Sequence, residues 1–367
     1  MIRAVLIGFA HMHVNEIAQY IHEQPEFQLI GCADIAPELP EQTQARYTRA
    51  WNLKHVADTF AVPVFEDYRQ MLDALAPDIA FILTENFRKP DVVEECAKRG
   101  ITISVEKPIA TTYDGARRIR AAAEQYGVEI FVNWPTTWRP YMIQMRHAME
   151  SGIVGDILKM YYVNGHTGPL GKGARHRGVD AAAEEMTDAQ RASTWWYQAD
   201  KGGGAFLDIG CYGSMYSRLF HKHEQAQAVY AYGANLNTPY CDAADNVAAI
   251  IRYPKSYSVI EGTWTAPNGF MPAGPVITGR DGVLYCTRND EGAPRVKAID
   301  IYGNALEVPP VTVPDNMKNI AWHYAAHKLD GAPIDETITL DRNMEVMGIL
   351  DAIVRSGKSG REEEVAR

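Results

Sequence analysis

Short apolar runs alternate with amphipathic segments through the first third of the chain. The apolar runs have the length and composition of buried strands, and the segments between them have the periodicity of helices. The predicted strands are 4–7, 29–34, 78–84, 101–105 and 129–133, and the predicted helices are a first one ending near 22, then 91–99 and 113–126. Strands and helices that alternate in this way form a parallel sheet with helices on both faces. Residues 1–132 are therefore predicted to be an α/β domain with a doubly wound parallel sheet.

The pattern changes from residue 133 onwards, where short strands with alternating apolar and polar side chains are separated by turns. The predicted strands are 155–163, 227–233, 247–253, 257–264, 275–278 and 283–286, and the predicted helices are 205–220, 319–329 and 340–356. Residues 253–256 and 280–282 have the composition of hairpin turns, which join antiparallel strands. Residues 133–367 are therefore predicted to form a second, α+β domain with a mainly antiparallel sheet.

The composition narrows the class of protein. With 367 residues, the chain is long enough for two domains. Its formal net charge of −10 argues against nucleic acid or an anionic membrane surface as a main partner. The apolar run at the start is too short for a secretion signal, and no stretch approaches the roughly 18 apolar residues of a membrane span. The cysteines are scattered, odd in number and contain no CxxC pair, which favours a reduced, cytoplasmic protein.

The first strand, turn, helix and second strand have the order of a dinucleotide-binding βαβ unit. Gly8 follows the first strand, and Asp34 ends the second. Such sheets bind ligands at the carboxyl ends of their strands, so the turn after Gly8 is predicted to meet a dinucleotide. The fingerprint G-x-G-x-x-G is degraded, because Ala10 and His13 stand where its second and third glycines belong.

Two roles are open to the histidines of this turn, His11 and His13. Residues two apart on a helix do not face each other, and no carboxylate follows at ligand spacing, so no metal site is predicted. A ring N–H that donates to a cofactor phosphate is the preferred interpretation. Gly8, Ala10, His11 and His13 are therefore predicted to bind the cofactor.

Asp34 carries a separate signal about the cofactor. A carboxylate at the end of the second strand accepts hydrogen bonds from an adenosine ribose and repels a 2′-phosphate. Arg46 and Arg49 lie a dozen or more residues further on and are not expected beside it. NAD is therefore the predicted cofactor, in preference to NADP. The alternative for Asp34 is a solvent-exposed turn aspartate.

The strand 101–105 delivers Glu106, Lys107 and Pro108 at its carboxyl end. A lysine there points into the ligand crevice, where partial burial and a cofactor cation would lower its pKa and suit it to proton transfer. Pro108 favours this interpretation because it fixes the backbone immediately after the lysine. The alternative is an ion pair between Glu106 and Lys107 on a surface turn.

Three consecutive glycines, 202–204, precede the predicted helix 205–220. Glycine costs folding entropy and buries no side chain, so the run suits a backbone that must approach another group closely. Asp208 and Tyr212 are four residues apart and would share one face of that helix. An acid beside a phenol is suited to proton transfer, whereas the alternative is a capping aspartate and a core tyrosine.

A charged, loop-like segment, 165–191, precedes the glycines. Its histidines and arginines among small residues suit a mobile lid around a polar ligand, next to the substrate rather than the cofactor. An oligomer contact or a simple surface loop is the equal alternative. The residues predicted to bind substrate are Trp134, Arg139, His166 and Trp195.

Taken in order, the degraded glycine turn, Asp34, the triplet 106–108 and the stretch 202–212 resemble the Gfo/Idh/MocA oxidoreductase family over nearly the whole chain. The resemblance implies an N-terminal Rossmann domain and a C-terminal α/β domain whose open sheet is used for oligomerisation. It also implies NAD(P)-linked oxidation or reduction of sugars, inositols and related polyols. A homo-oligomer, either a dimer or a tetramer, is therefore expected.

The resemblance also implies cofactor contacts and substrate contacts. The family's E-K-P motif matches 106–108, which places Lys107 against the substrate and Glu106 near the nicotinamide ribose. Its T-P-N motif matches 84–86 with a glutamate in place of the proline. Thr84 and Asn86 are therefore expected to contact the cofactor.

The family's D-x-G-x-H motif matches 208–212, with Tyr212 in place of the histidine. This resembles the branch of glucose-fructose oxidoreductase and dihydrodiol dehydrogenase, in which tyrosine serves as the acid or base. Lys107 would lower the pKa of the carbinol and of Tyr212, Tyr212 would take the proton, and Asp208 would orient the substrate or Tyr212. Lys107, Asp208 and Tyr212 are therefore the predicted catalytic residues.

Two alternatives to a simple dehydrogenase remain open. One variant uses transient oxidation to eliminate a glycosidic substituent, with no net redox change. The other alternative is a sensor or regulator that binds the cofactor and has lost the chemistry. Retention of Lys107 and Asp208 favours the enzyme, because a sensor should have lost one or both.

Overall fold

The N-terminal part of the chain is built on a six-stranded sheet in a computed structural model that describes residues 1–267, 271–272 and 274–367. Its strands are β1 Ile2–Ile7, β2 Phe27–Ala33, β3 Val64–Phe65, β4 Ile79–Ile82, β5 Thr102–Glu106 and β6 Ile130–Asn133. They lie in the order β3-β2-β1-β4-β5-β6, and every neighbouring pair is parallel. The doubly wound parallel sheet is confirmed. Because the order reverses between β1 and β4, a crevice opens beyond the carboxyl ends of these two strands.

Helices cover both faces of this sheet, which explains the continuous apolar runs of its strands. They are α1 His13–Glu23, α2 Arg49–Phe60, α3 Tyr68–Leu75, α4 Lys89–Ala97 and α5 Tyr113–Tyr126. Side chains cap two of them, since Asp67 accepts from the backbone of Gln70 and Thr112 accepts from that of Gly115. The pattern of the sequence did not predict α2 or α3.

The C-terminal part contains a nine-stranded sheet. Its strands are β7 Ile157–Gly165, β8 Ala228–Ala234, β9 Asn246–Arg252, β10 Tyr257–Thr263, β11 Val276–Gly279, β12 Gly282–Arg288, β13 Pro294–Asp300, β14 Ala305–Leu306 and β15 Glu363–Glu364. Their order is β14-β13-β12-β11-β7-β10-β9-β8-β15. Within this sheet, β7 and β10 are the only described neighbours that pair in parallel. The prediction of a mainly antiparallel sheet is therefore confirmed. The two predicted hairpin turns join β9 to β10 and β11 to β12.

Six further helices lie among the described residues of this part: α6 Pro140–Glu150, α7 Asp188–Ala192, α8 Ala205–Asp208, α9 Gly210–Phe220, α10 Ile320–Asp330 and α11 Leu340–Ser359. Helices α9 and α11 cover one face of the second sheet. Helix α11 also packs on α5 and β6, and residue 131 forms a β-bridge with residue 339. The last helices therefore join the two parts of the molecule.

The predicted single helix 205–220 is wrong, because the helix is interrupted at Ile209. At Ile209 φ is −105° and ψ is −37°. The backbone N–H of Tyr212 donates to the carbonyl of Ile209, three residues earlier, as in a 3₁₀ turn. The backbone carbonyl of Asp208 instead accepts from Lys107 Nζ at 3.4 Å and from Cys211 Sγ at 3.2 Å. Asp208 and Tyr212 thus lie on two short helices rather than on one face of a long one.

Candidate active site

A cavity of about 440 Å³ lies between the two sheets, at the carboxyl end of β5. Seven of the predicted site residues line it: His11, His13, Lys107, Arg139, His166, Asp208 and Tyr212. The tertiary structure therefore brings together residues from β5, the turn before α1, the start of α6, the end of β7 and the break between α8 and α9. Three larger cavities in the described residues, of about 540, 570 and 610 Å³, are lined by none of the predicted site residues.

Asp208 is the centre of the polar contacts in this cavity. Its Oδ1 lies 3.6 Å from Lys107 Nζ, and its Oδ2 accepts from Trp264 Nε1 at 2.9 Å and lies 3.3 Å from His166 Nε2. Burial alone would raise the pKa of Asp208, but the hydrogen bond from His166 and the charge of Lys107 outweigh burial and hold the pKa well below its usual range. Asp208 is therefore a carboxylate at neutral pH.

Lys107 is buried between Asp208 and Tyr212. Its Nζ lies 4.5 Å from the centroid of the Tyr212 ring, a distance typical of a cation–π contact. Burial lowers the pKa of Lys107, but Tyr212, Cys211, Asp208 and Glu106 together raise it well above its usual value. The expected lowering of this pKa is therefore wrong, and the lysine is a cation at neutral pH.

Tyr212 packs edge-on against Trp134, with 5.5 Å between the ring centroids. Burial raises the pKa of its phenol well above the usual value, and the opposing charge of Lys107 is the smaller effect. Lys107 lowers this pKa, as expected, but the loss of hydration outweighs its charge. Tyr212 is therefore a neutral phenol in the free protein. Trp134 lies behind it and donates from Nε1 to Asn343 Oδ1 at 2.7 Å, so its indole supports Tyr212 from outside the cavity.

The three glycines permit a close backbone approach to other parts of the chain. A Cβ on Gly202 would lie 2.7 Å from Asn86 Cβ, and one on Gly203 would lie 2.2 Å from the carbonyl oxygen of Trp196. Asn86 Nδ2 also donates to the Gly202 carbonyl at 2.8 Å. The glycine run therefore seats α8 against the first sheet and sets the position of Asp208.

Asp34 has a cation partner that the sequence did not predict. Arg49, at the start of α2, donates from Nη1 to Asp34 Oδ1 at 2.9 Å. Its Nη2 pairs with Glu85, and its Nε lies 3.9 Å from Glu41 Oε1. The expectation that no arginine stands beside Asp34 is wrong, because the start of α2 returns the chain to the end of β2. Arg88 Nε also lies 3.6 Å from Glu85 Oε2, so three carboxylates face two guanidinium groups in this corner of the crevice.

The histidines of the turn meet a carboxylate from another strand. His13 Nδ1 lies 3.0 Å from Glu106 Oε1, and the ligand atoms of His11, His13 and Glu106 all lie within 4.8 Å of one another. The argument that no carboxylate is within reach is thus wrong, since Glu106 comes from β5. However, the backbone N–H of His13 donates to His11 Nδ1 at 3.2 Å, which leaves the neutral ring of His11 protonated on Nε2. His11 and Glu106 are thus linked by hydrogen bonds through His13.

The other predicted cofactor residues are deeply buried. Thr84 Oγ1 donates to Glu85 Oε2 at 2.5 Å. Gly8 has φ of +85°, and a Cβ added to Gly8 would lie 2.6 Å from the backbone nitrogen of Thr84. Trp195 donates from Nε1 to the carbonyl of Ala10 at 2.9 Å. It lines a separate cavity of about 250 Å³, with Glu38 and Glu85, and not the cavity of Lys107. Trp195 therefore packs on the turn predicted to hold cofactor.

The residues of the crevice fit a dinucleotide. Asp34 and Glu85 offer carboxylates for ribose hydroxyls at one end of the crevice. Glu106 and Lys107 lie at its other end, beside the cavity of about 440 Å³. Two buried donors, Arg49 Nε and Trp196 Nε1, have no hydrogen-bond partner within the described part of the chain. Unpaired buried donors of this kind are costly unless a ligand satisfies them.

Segment 165–191 contacts both the cavity and the first sheet. His166 and His176 line the cavity, while a Cβ on Gly178 would lie 2.6 Å from the backbone of Asn15 in α1. Tyr47 also donates to a carbonyl of the segment. The segment therefore lies beside the predicted cofactor turn as well as the cavity of Lys107, and its role as a lid over the substrate stays a prediction.

Some residues of the site were missed from the sequence. Trp264 and Arg49 give no local signal, because each meets its partner only through tertiary packing. Lys89 belongs to none of the motifs recognised in the sequence, yet its Nζ donates to Asn86 Oδ1 at 2.7 Å and to the carbonyl of Glu106 at 2.7 Å. Its ammonium thus ties the end of β5 to the segment after β4.

Comparisons with known proteins agree with this architecture. A family model described as an oxidoreductase family with an NAD-binding Rossmann fold matches residues 2–134, and one described as the GFO/IDH/MocA C-terminal domain matches residues 142–285. The solved structure of aldose-aldose oxidoreductase from Caulobacter crescentus, complexed with glycerol, has a TM-score of 0.74 at 17% identity and covers 99% of each chain. That likeness shows the fold.

Two curated relatives have recognisable sequence similarity. The chain is 25% identical over 202 residues to dTDP-3,4-didehydro-2,6-dideoxy-alpha-D-glucose 3-reductase of Actinomadura kijaniata, a match over 52% of this chain and 54% of the reductase. It is 22% identical over 268 residues to trans-1,2-dihydrobenzene-1,2-diol dehydrogenase of Xenopus tropicalis, over 72% of each chain. The chain thus spans about half the length of the reductase.

Proposed function

We propose that this chain, which belongs to the Gfo/Idh/MocA family of oxidoreductases with an NAD-binding Rossmann fold, is an NAD-dependent dehydrogenase or reductase. Its reaction is hydride transfer at a carbinol carbon of a sugar, a polyol or a related carbohydrate. The observation that carries this proposal is the contact of Asp208 with both Lys107 and His166 in a cavity at the carboxyl end of β5. The names of the two relatives, a reductase and a dehydrogenase, support it.

Lys107 is suited to the oxygen of the reacting carbon. It is a buried cation, and a cation aimed at an oxygen stabilises the negative charge that develops when a carbinol loses its proton. Asp208, 3.6 Å away, keeps the ammonium charged and in place. Bound NAD would supply the acceptor or donor of the hydride.

His166 is the residue that we assign as proton acceptor. Asp208 Oδ2 only accepts hydrogen bonds, so the His166 nitrogen 3.3 Å from it, Nε2, is the one that carries the proton. Nδ1 of the neutral ring is then an acceptor, and the side chain is about a third exposed to the cavity. An imidazole held by a carboxylate is a common general base near neutral pH. Tyr212, a neutral phenol, would donate a hydrogen bond to the substrate.

We also propose a homo-oligomer that uses the second sheet. The face opposite α9 and α11 exposes a row of neighbouring side chains across β8, β9, β10, β7, β11 and β12: Tyr230, Ile250, Val259, Tyr161, Val276 and Tyr285. Tyr230 and Ile250 are about half exposed. A continuous apolar row of this kind is typical of a face that a second protein surface covers. Sedimentation analysis of Tyr230→Glu against the unchanged chain would test it, with dissociation of the variant as the expected result.

We place the protein in the cytoplasm. All five cysteines lie in the described part of the chain as free thiols, and four of them are buried. No helix among the described residues has the length and apolar character needed to cross a bilayer. Fractionation of cells that express the tagged chain would test the location.

The activity is tested by mixing the protein with NAD and a panel of polyols, aldoses and sugar acids and recording the absorbance of NADH. Asp208→Asn is the control, because it removes the charge that holds Lys107 and His166 and keeps the size of the side chain. We expect NADH to form with at least one sugar or polyol. The rate of its formation should be about 100-fold lower in the control. Equal rates in both proteins would contradict the proposed site.

A further inference from the structure

We propose that the substrate carries an anionic group, a carboxylate or a phosphate, which Arg139 binds in the cavity of Lys107. This inference rests on the proposed function and adds the chemical class of the substrate. It is carried by the charge of the cavity, by the unpaired state of Arg139 and by the hydroxyl groups around it.

The cavity is basic although the chain is acidic. Five cations line it, against two carboxylates: the cations are Lys107, Arg139, Arg175, Arg177 and Arg288, and the carboxylates are Glu16 and Asp208. The formal net charge of the whole chain is −10. A cationic cavity in an anionic protein attracts anions selectively, because the walls of a cleft focus the field of the charges that line it.

Two of the cations are already paired. Lys107 lies beside Asp208, and Arg177 Nη1 lies 3.5 Å from Glu16 Oε1. Arg139, Arg175 and Arg288 form no ion pair with a carboxylate anywhere in the described residues. A ligand with one or two negative charges would therefore meet three uncompensated guanidinium groups.

Their places in the fold divide these arginines into two groups. Arg175 belongs to the segment that packs on α1 through Gly178, so it lies on the side of the predicted cofactor turn. Arg139 precedes α6, and Arg288 ends β12, so both come from the second sheet and its covering helix. The second pair is the one that faces a substrate rather than a dinucleotide phosphate.

Arg139 is the better placed of this pair. It is half-buried, whereas Arg288 is exposed and donates from Nη1 to the carbonyl of Gly292 at 3.0 Å. The backbone of Arg139 is fixed because its carbonyl accepts from Met142 at 2.9 Å and from Ile143 at 3.1 Å. A partly desolvated guanidinium without a carboxylate is costly, and a bidentate carboxylate or phosphate removes that cost.

The remaining polar lining suits the body of a sugar. Hydroxyl and amide groups surround the cavity: Thr136, Tyr141, Tyr162, Asn164, Tyr212 and Tyr216. Neutral donors and acceptors of this kind bind hydroxyl groups, and the guanidinium binds the acidic end. The geometry therefore points to a sugar acid or a sugar phosphate in place of a neutral sugar.

The test compares matched substrates that differ only at one carbon. Turnover with saturating NAD would be measured for glucose, galactose and mannose, for their uronates, and for their 6-phosphates. We expect the best anionic sugar to exceed the best neutral one by at least about tenfold in kcat/KM, with the uronate and phosphate arms identifying the group. A neutral sugar as the best substrate would overturn the inference.

Arg139→Gln provides the second arm, with Arg117→Gln as its control. Arg117 is an exposed arginine of α5 that pairs with Asp114, so this control removes the same charge away from the cavity. In Arg139→Gln we expect kcat/KM for the anionic sugar to fall at least about 30-fold, and that for the neutral sugar to fall by a factor at least about tenfold smaller. An equal loss for both sugars would overturn the inference.

Calorimetry with the same sugars separates this inference from the proposed function. Binding of the anionic sugars without turnover, weakened in Arg139→Gln, would support the inference and contradict the function. Turnover of neutral sugars alone would support the function and contradict the inference. Binding of no anionic sugar to the chain loaded with NAD would overturn the inference.

Discussion

Arg49 Nη1 lies 2.9 Å from Asp34 Oδ1, so the carboxylate that the sequence assigns to the adenosine ribose already holds a cation. The same guanidinium pairs with Glu85 and lies near Glu41. Arg88 Nε lies 3.6 Å from Glu85 Oε2, so three carboxylates face two guanidinium groups, and one negative charge remains above pH 7, where Glu41 is ionised as well. This corner then disfavours a 2′-phosphate in spite of the arginines.

We expect NAD to bind at least about tenfold more tightly than NADP, a difference of about 1.4 kcal/mol. Asp34→Ala should narrow or reverse the preference, because it removes one carboxylate and frees Arg49 for the 2′-phosphate. Calorimetry with both cofactors measures the difference. Asp58→Ala, an exposed aspartate of α2 paired with Lys54, is the control. Equal affinities in the unchanged chain would contradict the prediction.

His166→Gln and Tyr212→Phe should separate the two candidate proton acceptors. His166→Gln is expected to lower turnover by about 100-fold, since it removes the proposed proton acceptor. Tyr212→Phe should reduce turnover less, because it removes one hydrogen bond to the substrate. Steady-state turnover of both variants decides the matter. A larger loss in Tyr212→Phe than in His166→Gln would restore tyrosine as the base.

Lys107→Met should reduce turnover by about 100-fold or more while NAD affinity changes little. Lys107 and Asp208 act as a unit, so the double variant with Asp208→Asn should be scarcely slower than either single variant. Steady-state kinetics of the three proteins tests this, after thermal unfolding has shown that each is folded. Multiplicative losses would show that the two residues act independently.

Glu41 should make stability depend on pH. Burial raises the pKa of Glu41 to about 7 from an ordinary value of 4.5, although Arg49 opposes the rise. The folded protein therefore favours the protonated acid, and this contribution to the free energy of unfolding is present below pH 4.5 and is lost as pH rises through about 7.

Glu41→Gln should therefore be more stable than the unchanged chain at pH 8, by about 1–3 kcal/mol, and little different at pH 5. Urea unfolding at the two pH values measures the change. Glu38→Gln is the control, since that side chain is exposed and pairs with Lys201 at the surface. The same pH dependence in both variants would rule out Glu41 as the cause.

Gly178→Ala should loosen segment 165–191 from α1. The added Cβ would lie 2.6 Å from the backbone of Asn15 and Glu16, so the segment must shift. We expect KM for the sugar to rise about fivefold or more, because this segment carries His166 and His176 into the cavity. Gly152→Ala is matched to it, since Gly152 also has positive φ but open space around the added Cβ. An unchanged KM in Gly178→Ala would show that the contact with α1 does not position the cavity.

Local patterns in the sequence determined most of the fold. The continuous apolar strands and the intervening helices predicted the parallel sheet, because a strand that helices cover on both faces exposes no side chain to solvent. The alternation of apolar and polar side chains, together with the hairpin turns, predicted the second, mainly antiparallel sheet. The single helix 205–220 was wrong, since its periodicity is continuous while the break at Ile209 comes from contacts of the Asp208 carbonyl with Lys107 and Cys211.

The sequence also determined which chemical groups are present at the site. Lys107 and Asp208 were recognisable from short motifs, and the structure places Lys107 Nζ 3.6 Å from Asp208 Oδ1. Tertiary structure alone decided their ionisation. Burial depends on every neighbour in space, and it raised the pKa of Tyr212 where the motif suggested a base.

Tertiary structure also decided the partners. Arg49 meets Asp34, His166 and Trp264 meet Asp208, and none of these pairs is close in sequence. A spacing along the chain reports which side chains share a helix face or a strand end. The spacing does not give the distance between elements that are far apart in the sequence. The packing of the two sheets and their helices sets that distance.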